Sequence, residues 1–136
     1  DHHIKIGDYT GVAYNSCFMD SNLHFTVNIE SGMVKNKAGE VIVGKYNWIA
    51  CGSIIRKGTV TKEYTIVASR SLLNKDYTKQ EGEFQTLAGS PAKIIGTSHK
   101  RIFSRAIEAS LIQYFKTENH SEKHLTPEEF QNASFL

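Results

Sequence analysis

The sequence predicts an all-β solenoid, a parallel β-helix of six-residue repeats with one projecting loop and a C-terminal α-helical cap. Three observations carry that expectation. Residues 43–73 repeat with a period of six: the first position of each hexad is aliphatic or β-branched (Val43, Ile49, Ile55, Thr61, Val67, Leu73), and the fifth is small or polar (Asn47, Ser53, Thr59, Thr65, Ser71). The sixth position is apolar throughout, at Trp48, Ile54, Val60, Ile66 and Leu72. Neither a helix, with a period of about 3.6, nor a strand, with a period of about 2, gives a strict repeat of six, whereas hexapeptide solenoids do.

In such a solenoid each hexad is a short strand and a corner. The branched first residue fills the interior, the small fifth residue fits where the backbone turns, and three hexads make one triangular coil. Each buried residue then stacks on its counterpart about 18 positions on, with coils about 4.8 Å apart. One coil cannot bury its own apolar face, so several must stack.

Residues 6–29 can be set in the same frame. Ile6, Val12 and Phe18 hold first positions, and Thr10, Ser16, Asn22 and Asn28 hold fifth positions. His24 then falls where a side chain should point inward, so either the frame slips there or His24 is special. Residues 30–41 contain Ser31-Gly32 and Ala38-Gly39 around Lys35-Asn36-Lys37, the turn chemistry of a loop that leaves the coil and returns. Such loops often carry a site. After Leu73 comes a polar excursion, and residues 86–96 read as one last strand bounded by turns. Ile102, Phe103, Ala106, Ile107, Leu111, Ile112 and Phe115 recur at helical spacing over residues 98–116, which are expected to cap the last coil. A second helix is expected from Thr126, with Pro127 in its first position and Glu128 and Glu129 in its first turn. The division is therefore a β-helix over residues 1–96 and a helical extension over 97–136.

At 136 residues and 40% hydrophobic the chain suits one continuous core, and 16 Lys plus Arg against 14 Asp plus Glu leave a net charge of +2. The basic residues form no dense stripe interleaved with aromatics, which argues against nucleic acid. No apolar run is long enough for a membrane span, and no signal peptide is visible. Cys17 and Cys51 fit no paired-cysteine motif and read as reduced thiols of a cytoplasmic protein. The chain opens at Asp1-His2-His3-Ile4 without Met or a capping element, as a fragment or trimmed chain would.

Several stretches in this order resemble the left-handed β-helix acyltransferases of the hexapeptide-repeat superfamily, in the branch that acts on sugars and cell-surface polysaccharides. They are residues 42–49, Lys57-Gly58-Thr59-Val60, residues 67–72 with Asn74-Lys75-Asp76, and Ala88-Gly89-Ser90-Pro91-Ala92-Lys93. The left hand of the coil follows from this resemblance alone. So does the activity it implies: transfer of an acetyl group from acetyl-coenzyme A to a hydroxyl, without a metal, in a homotrimer whose sites lie between adjacent chains.

The family's catalytic histidine follows an acidic or amide residue just before the loop, which carries the role of general base to His24, with Asp20 or Asn22 holding the ring. An imidazole suits the task because its ordinary pKa is near about 6.5. His2 and His3 beside Asp1 are rival bases or the remnant of a tag. For the coenzyme, the resemblance points to Trp48, Cys51, Ala68 and Ser69 along the pantetheine, and to Asn74, Lys75 and Lys93 towards the phosphates. Lys100 and Arg101 follow close behind and suit phosphate too, or else mark a solvated helix start. Some β-helix proteins bind zinc through histidines of neighbouring coils, but no histidine lies between His24 and His99, and His120 and His124 stand together only in the tail.

The sequence departs from the family at Thr61-Lys62, at Ala50 and Ala68, and at Ser69-Arg70-Ser71, where glycine or aliphatic residues are usual. Arg70 either narrows the coenzyme path or lends it a charge. Two other readings stay open: N-acetylation of an amino sugar or acylation of a small molecule such as serine, and a non-catalytic trimeric scaffold. Protection by coenzyme A and the activity of His24→Ala separate enzyme from scaffold.

Overall fold

A computed structural model describes residues 3–133, so Asp1 and His2 lie outside it. Two compact units divide the chain, one ending at Lys100 and one beginning at Arg101. In the first unit, strands β1 (Ile4–Ile6), β2 (Gly11–Val12), β3 (Cys17–Met19), β4 (Val41–Val43), β5 (Trp48–Ile49), β6 (Ile54–Arg56), β7 (Ile66–Val67) and β8 (Leu72–Leu73) fall into three parallel sheets. The chain visits those sheets in a fixed cyclic order: β1, β2, β3, then β4, β5, β6. Residue Val60 takes the next place in the first sheet by single bridges to Ile42 and Asp76, and β7 and β8 follow in the second and third sheets.

The register is that of the hexads. Ile49 pairs with Val67 and Ile55 with Leu73, 18 residues apart. Every first-position residue from Val43 to Leu73 is buried, with Ile49, Ile55, Val67 and Leu73 at 0% exposure. Burying such a side chain contributes roughly 1.5–3 kcal/mol each, so the column they form is the core.

The fifth positions explain why the corners demand small polar residues. Hydroxyls of Ser53, Thr59, Thr65 and Ser71 donate to the carbonyls of Ala50, Arg56, Lys62 and Ala68, each three residues back, at 2.6–2.8 Å. Asn47 does the same work with its amide, donating to Lys45 and Lys62 carbonyls at 3.0 and 2.8 Å. A second rule was not read from the sequence. The fourth position is left-handed in every hexad of the main repeat, at Tyr46, Gly52, Gly58, Tyr64 and Arg70, as it is at Tyr9 and Asn15. Three of those seven residues and the later Phe84 form an aromatic column, Tyr9–Tyr46–Tyr64–Phe84, with ring centres 5.0–5.7 Å apart. The Lys100 ammonium lies 5.3 Å from the Tyr64 ring centre.

The frame holds through Met19 and then breaks, ten residues before the loop was expected. Bridges Ser21–Ala38 and Val27–Val34 make residues 20–39 an antiparallel hairpin. His24 is therefore not an inward position at all; it is exposed on that hairpin. Partners across it, such as Ile6 and Val43 or Ile55 and Phe18, stand 37 residues apart instead of 18, yet stay in register.

The strand expected over residues 86–96 is two strands, β9 (Thr86–Gly89), parallel to β7, and β10 (Ala92–Gly96), antiparallel to β9, joined through a cis Ser90–Pro91 peptide. Before them a 3-10 turn, Tyr77–Lys79, buries Tyr77, whose hydroxyl donates to Ala92 O at 2.8 Å. In the second unit, α1 (Arg105–Thr117) starts later than expected because the Ser104 hydroxyl caps it by accepting from Ile107 N. Helix α2 (Pro127–Asn132) begins as read, with Thr126 and Glu129 forming a reciprocal capping box. Those bonds hold the Glu129 carboxyl below its usual range.

Candidate active site

His24 stands at the base of the hairpin, and three hydrogen bonds fix the backbone around it. Its own amide donates to Asn22 O at 2.8 Å. The preceding Leu23, in the left-handed region, donates its amide to Ser21 Oγ at 3.0 Å and accepts from Lys37 Nζ at 3.1 Å. Where the hairpin re-enters the coil, Gly39 N donates to Asp20 O and Asn22 N to Lys37 O, at 2.8 and 2.7 Å. The imidazole itself is exposed, and the structure joins it to neither proposed orienting side chain by a hydrogen bond. Asp20 is half-buried at the corner below. The Asn22 side-chain oxygen instead accepts from Arg56 Nη2 on β6. An orienting group must accept a ring N–H so that the other nitrogen keeps its lone pair. With the Asn22 oxygen bonded to Arg56, the Asp20 carboxylate is the other of the two expected acceptors at the hairpin base.

Lys57, the residue after β6, braces the same corner, its ammonium donating to Asn36 O at 2.8 Å. One coil on stand Asn74 and Lys75, both exposed, with the Lys75 ammonium 5.7 Å from the Tyr77 ring centre. The structure thus brings Asp20, Asn22, His24, Asn74 and Lys75 to one corner, between the third and first sheets. His3, the rival base among the described residues, stands at the same corner: its carbonyl accepts from Val41 N at 3.2 Å, and its Nε2 lies 2.9 Å from Glu40 Oε1.

The other expected residues gather at the corner between the second and third sheets. Trp48 is 40% exposed on β5, stacked in register with Ile66. Beside it Ala13, Ala50 and Ala68 follow one another from coil to coil, each amide donating to the next carbonyl, of Ile49, Val67 and Leu87, at 2.9–3.0 Å. In that ladder the Ala68 amide is bonded to Leu87 O, so this residue would meet a ligand through its other atoms. On the far side of the alanines, Cys51 Sγ lies 3.6 Å from Ser69 Oγ. Arg70 donates its amide to Cys51 O at 3.0 Å, and its side-chain stem lies over Gly52. Lys93 is exposed on β10 opposite Ala88, next to this corner.

The two groups flank the third sheet, whose strands of two or three residues span on the order of 10 Å. Ile54 on that sheet is exposed. Among the described residues no group of three or more His, Cys, Asp or Glu side chains comes together as metal ligands. Sequence reasoning missed Arg56 and Lys37. The 18-residue stack that places Arg56 one coil from Asn74 was the available signal, but it gave no warning that the hairpin folds back on Arg56.

This architecture is one that solved O-acetyltransferases share. The polysialic acid O-acetyltransferase OatWY matches with a TM-score of 0.61 at 23% identity, over 82% of this chain and 54% of that one. The polySia-specific acetyltransferase NeuO matches at 0.53 and 22%, over 90% of this chain and 60% of that one. A maltose O-acetyltransferase from Clostridium difficile 630 is a weaker likeness at 0.42 and 16%, over 72% and 68%. At such identities the common property is the fold, and this chain spans little more than half the length of the first two. No family profile and no curated protein matches the sequence.

Proposed function

We propose that the chain is the β-helical part of a cytoplasmic, homotrimeric acyltransferase. It moves an acetyl group from acetyl-coenzyme A to a hydroxyl of a sugar or cell-surface polysaccharide precursor, with His24 as general base and the coil left-handed as in the family it resembles. The observation that carries the reading is an exposed imidazole on a hairpin tied to the coil through Arg56 and Lys57, on a fold shared with polysialic acid O-acetyltransferases.

The residues fit the coenzyme's shape and charge. The alanines beside Trp48 leave room for a thin pantetheine arm, and Lys93 and Arg70 supply cations near its phosphates. In the reaction, the acceptor oxygen attacks the thioester carbonyl carbon as His24 takes the hydroxyl proton. The tetrahedral adduct collapses with loss of the C–S bond, and the proton passes to sulfur, leaving a sugar acetate and free coenzyme A. Within one chain His24 and the Trp48 corner lie on either side of a sheet, so a neighbouring copy is the natural way to bring one of each together. The hairpin supports such a neighbour: Leu23, Phe25, Ile29 and Met33 are all more than 60% exposed, an apolar surface of the kind that marks interfaces.

The test is acetyl transfer to a sialic acid oligomer by the wild-type protein and His24→Ala, with the melting temperature measured in coenzyme A. A loss of about 10²–10⁴ in kcat is expected for the variant, with coenzyme protection retained. Full turnover by His24→Ala would remove the base, and absence of coenzyme protection would favour a scaffold.

A further inference from the structure

We infer that Arg56 binds a carboxylate on the acceptor, so that the sugar acylated is an acidic one. The inference rests on His24 as general base and adds the acceptor's chemistry to it.

Arg56 ends β6, and its guanidinium reaches the hairpin to donate to Asn22 Oδ1. The carbonyl of the same Asn22 accepts from His24 N at 2.8 Å. Guanidinium and catalytic residue therefore flank a single residue, one from the rigid coil and one from the hairpin. The bond to Asn22 is to a neutral amide, so it leaves the charge of Arg56 uncompensated. The ion pairs among the described residues are His3–Glu40, Lys62–Glu83 and Lys123–Glu129, and none involves Arg56. Arg56 is half-buried, where a cation without a counterion is held less well than in open water.

The other cations of this corner are engaged differently. Lys37 and Lys57 donate to the carbonyls of Leu23 and Asn36, and so hold the hairpin down. Their charges nevertheless add to the positive field at its base, where Arg56, Lys37 and Lys57 face the carboxylates of Asp20 and Glu40, the second of them paired with His3. The group that completes the corner is an anion. The forked N–H donors left on a guanidinium match a carboxylate in a way that a lysine ammonium does not. A neutral sugar would leave the charge as it stands; a sugar acid would pair with it and bring its hydroxyls to the side of Asn22 where His24 stands.

The experiment compares two acceptors, a sialic acid tetramer and maltotetraose, with acetyl-coenzyme A and the full chain as wild type, Arg56→Gln and Arg56→Lys. The expected result is a wild-type kcat/KM at least tenfold higher for the acidic acceptor. That ratio should collapse in Arg56→Gln, mainly through KM, and recover in part in Arg56→Lys. If Arg56→Gln lowers both acceptors alike, Arg56 only pins the hairpin and the inference is overturned. It is equally overturned if the wild type uses both acceptors equally. Should Arg56→Gln fail to fold, an NMR titration of wild type with the sialic acid tetramer decides: binding that weakens with salt upholds the inference, and no binding overturns it. Turnover of neither acceptor, or full activity in His24→Ala, is a different failure and sinks the acetyltransferase reading itself.

Discussion

Replacing Asn47 by alanine asks whether the corners are held by side-chain hydrogen bonds or by the aliphatic column alone. The Asn47 amide donates at 3.0 and 2.8 Å to the Lys45 and Lys62 carbonyls, and its oxygen accepts the Thr61 hydroxyl at 2.6 Å. No part of Asn47 is exposed. Alanine deletes all three bonds. Two of the groups left behind keep partners: Lys45 O still accepts from Tyr64 N, and Lys62 O from the Thr65 hydroxyl. The Thr61 hydroxyl loses its acceptor inside the protein. At about 1 kcal/mol for each neutral bond, with a small cavity added, the loss should be about 3–4 kcal/mol. Ser53→Ala is the contrast, because Ala50 O keeps Ser16 and Ala68 O keeps Ser71 as donors, so about 1 kcal/mol is expected. Urea unfolding at neutral pH reads both, as shifts of about 2 M and below 1 M in midpoint at a typical slope. If Asn47→Ala costs no more than Ser53→Ala, the hydrogen-bonded corner is not what holds the coils.

Two further substitutions probe the stack. At Gly44 a Cβ would come within 2.7 Å of the Lys62 backbone, so Gly44→Ala should cost about 1–3 kcal/mol. Gly39→Ala meets nothing nearer than Lys57 Cβ at 3.5 Å and should be nearly neutral; similar melting temperatures for the two would refute the close-contact argument. Burial holds the Tyr77 phenol above its ordinary value, and desolvation followed by the neighbouring tyrosines raises Tyr46. The unfolded chain gives up these protons near about pH 10 while the folded chain keeps them. Their contribution is thus complete below pH 10 and is lost as pH rises through the folded values. Tyr77→Phe should flatten part of that alkaline decline in urea midpoint, Tyr46 retaining the rest, at a cost of about 1 kcal/mol at neutral pH. An unchanged alkaline slope in Tyr77→Phe would count against it.

The coil was legible because a six-residue rule repeats. Each first position from Val43 to Leu73 told its burial directly, and the fifth positions announced the corners. The left-handed fourth position was not legible, since Tyr46, Tyr64 and Arg70 occupy it where glycine would have signalled it. In L-residues that conformation costs roughly 1–2 kcal/mol, which tertiary packing must offset; the stacking of Tyr46 against Tyr9 and Tyr64 is one such compensation. The start of the hairpin was hidden for another reason. Asn22 and Asn28 mimic fifth positions, but Asn28 accepts from Glu30 and Ser31 amides inside a turn, a local bond that the repeat frame cannot distinguish from a corner. The site was readable only as residue types near His24. Which oxygen Arg56 would take depends on a contact 34 residues away in sequence.

The hairpin leaves the coil at the corner after β3 and returns at that same corner before β4, with every later pair still matched. To the strands on either side, its 19 added residues are invisible: Ile55 sits between Phe18 and Leu73 as though the chain had never left. The cost of closing such a loop grows only slowly with length. The fold therefore works as a splice site, in which the segment carrying His24 can be lengthened, exchanged or rewritten as a cassette without disturbing a single stacked residue. Under the function proposed above, acceptor recognition would change by substitution of one short insert while the proposed coenzyme wall stays fixed.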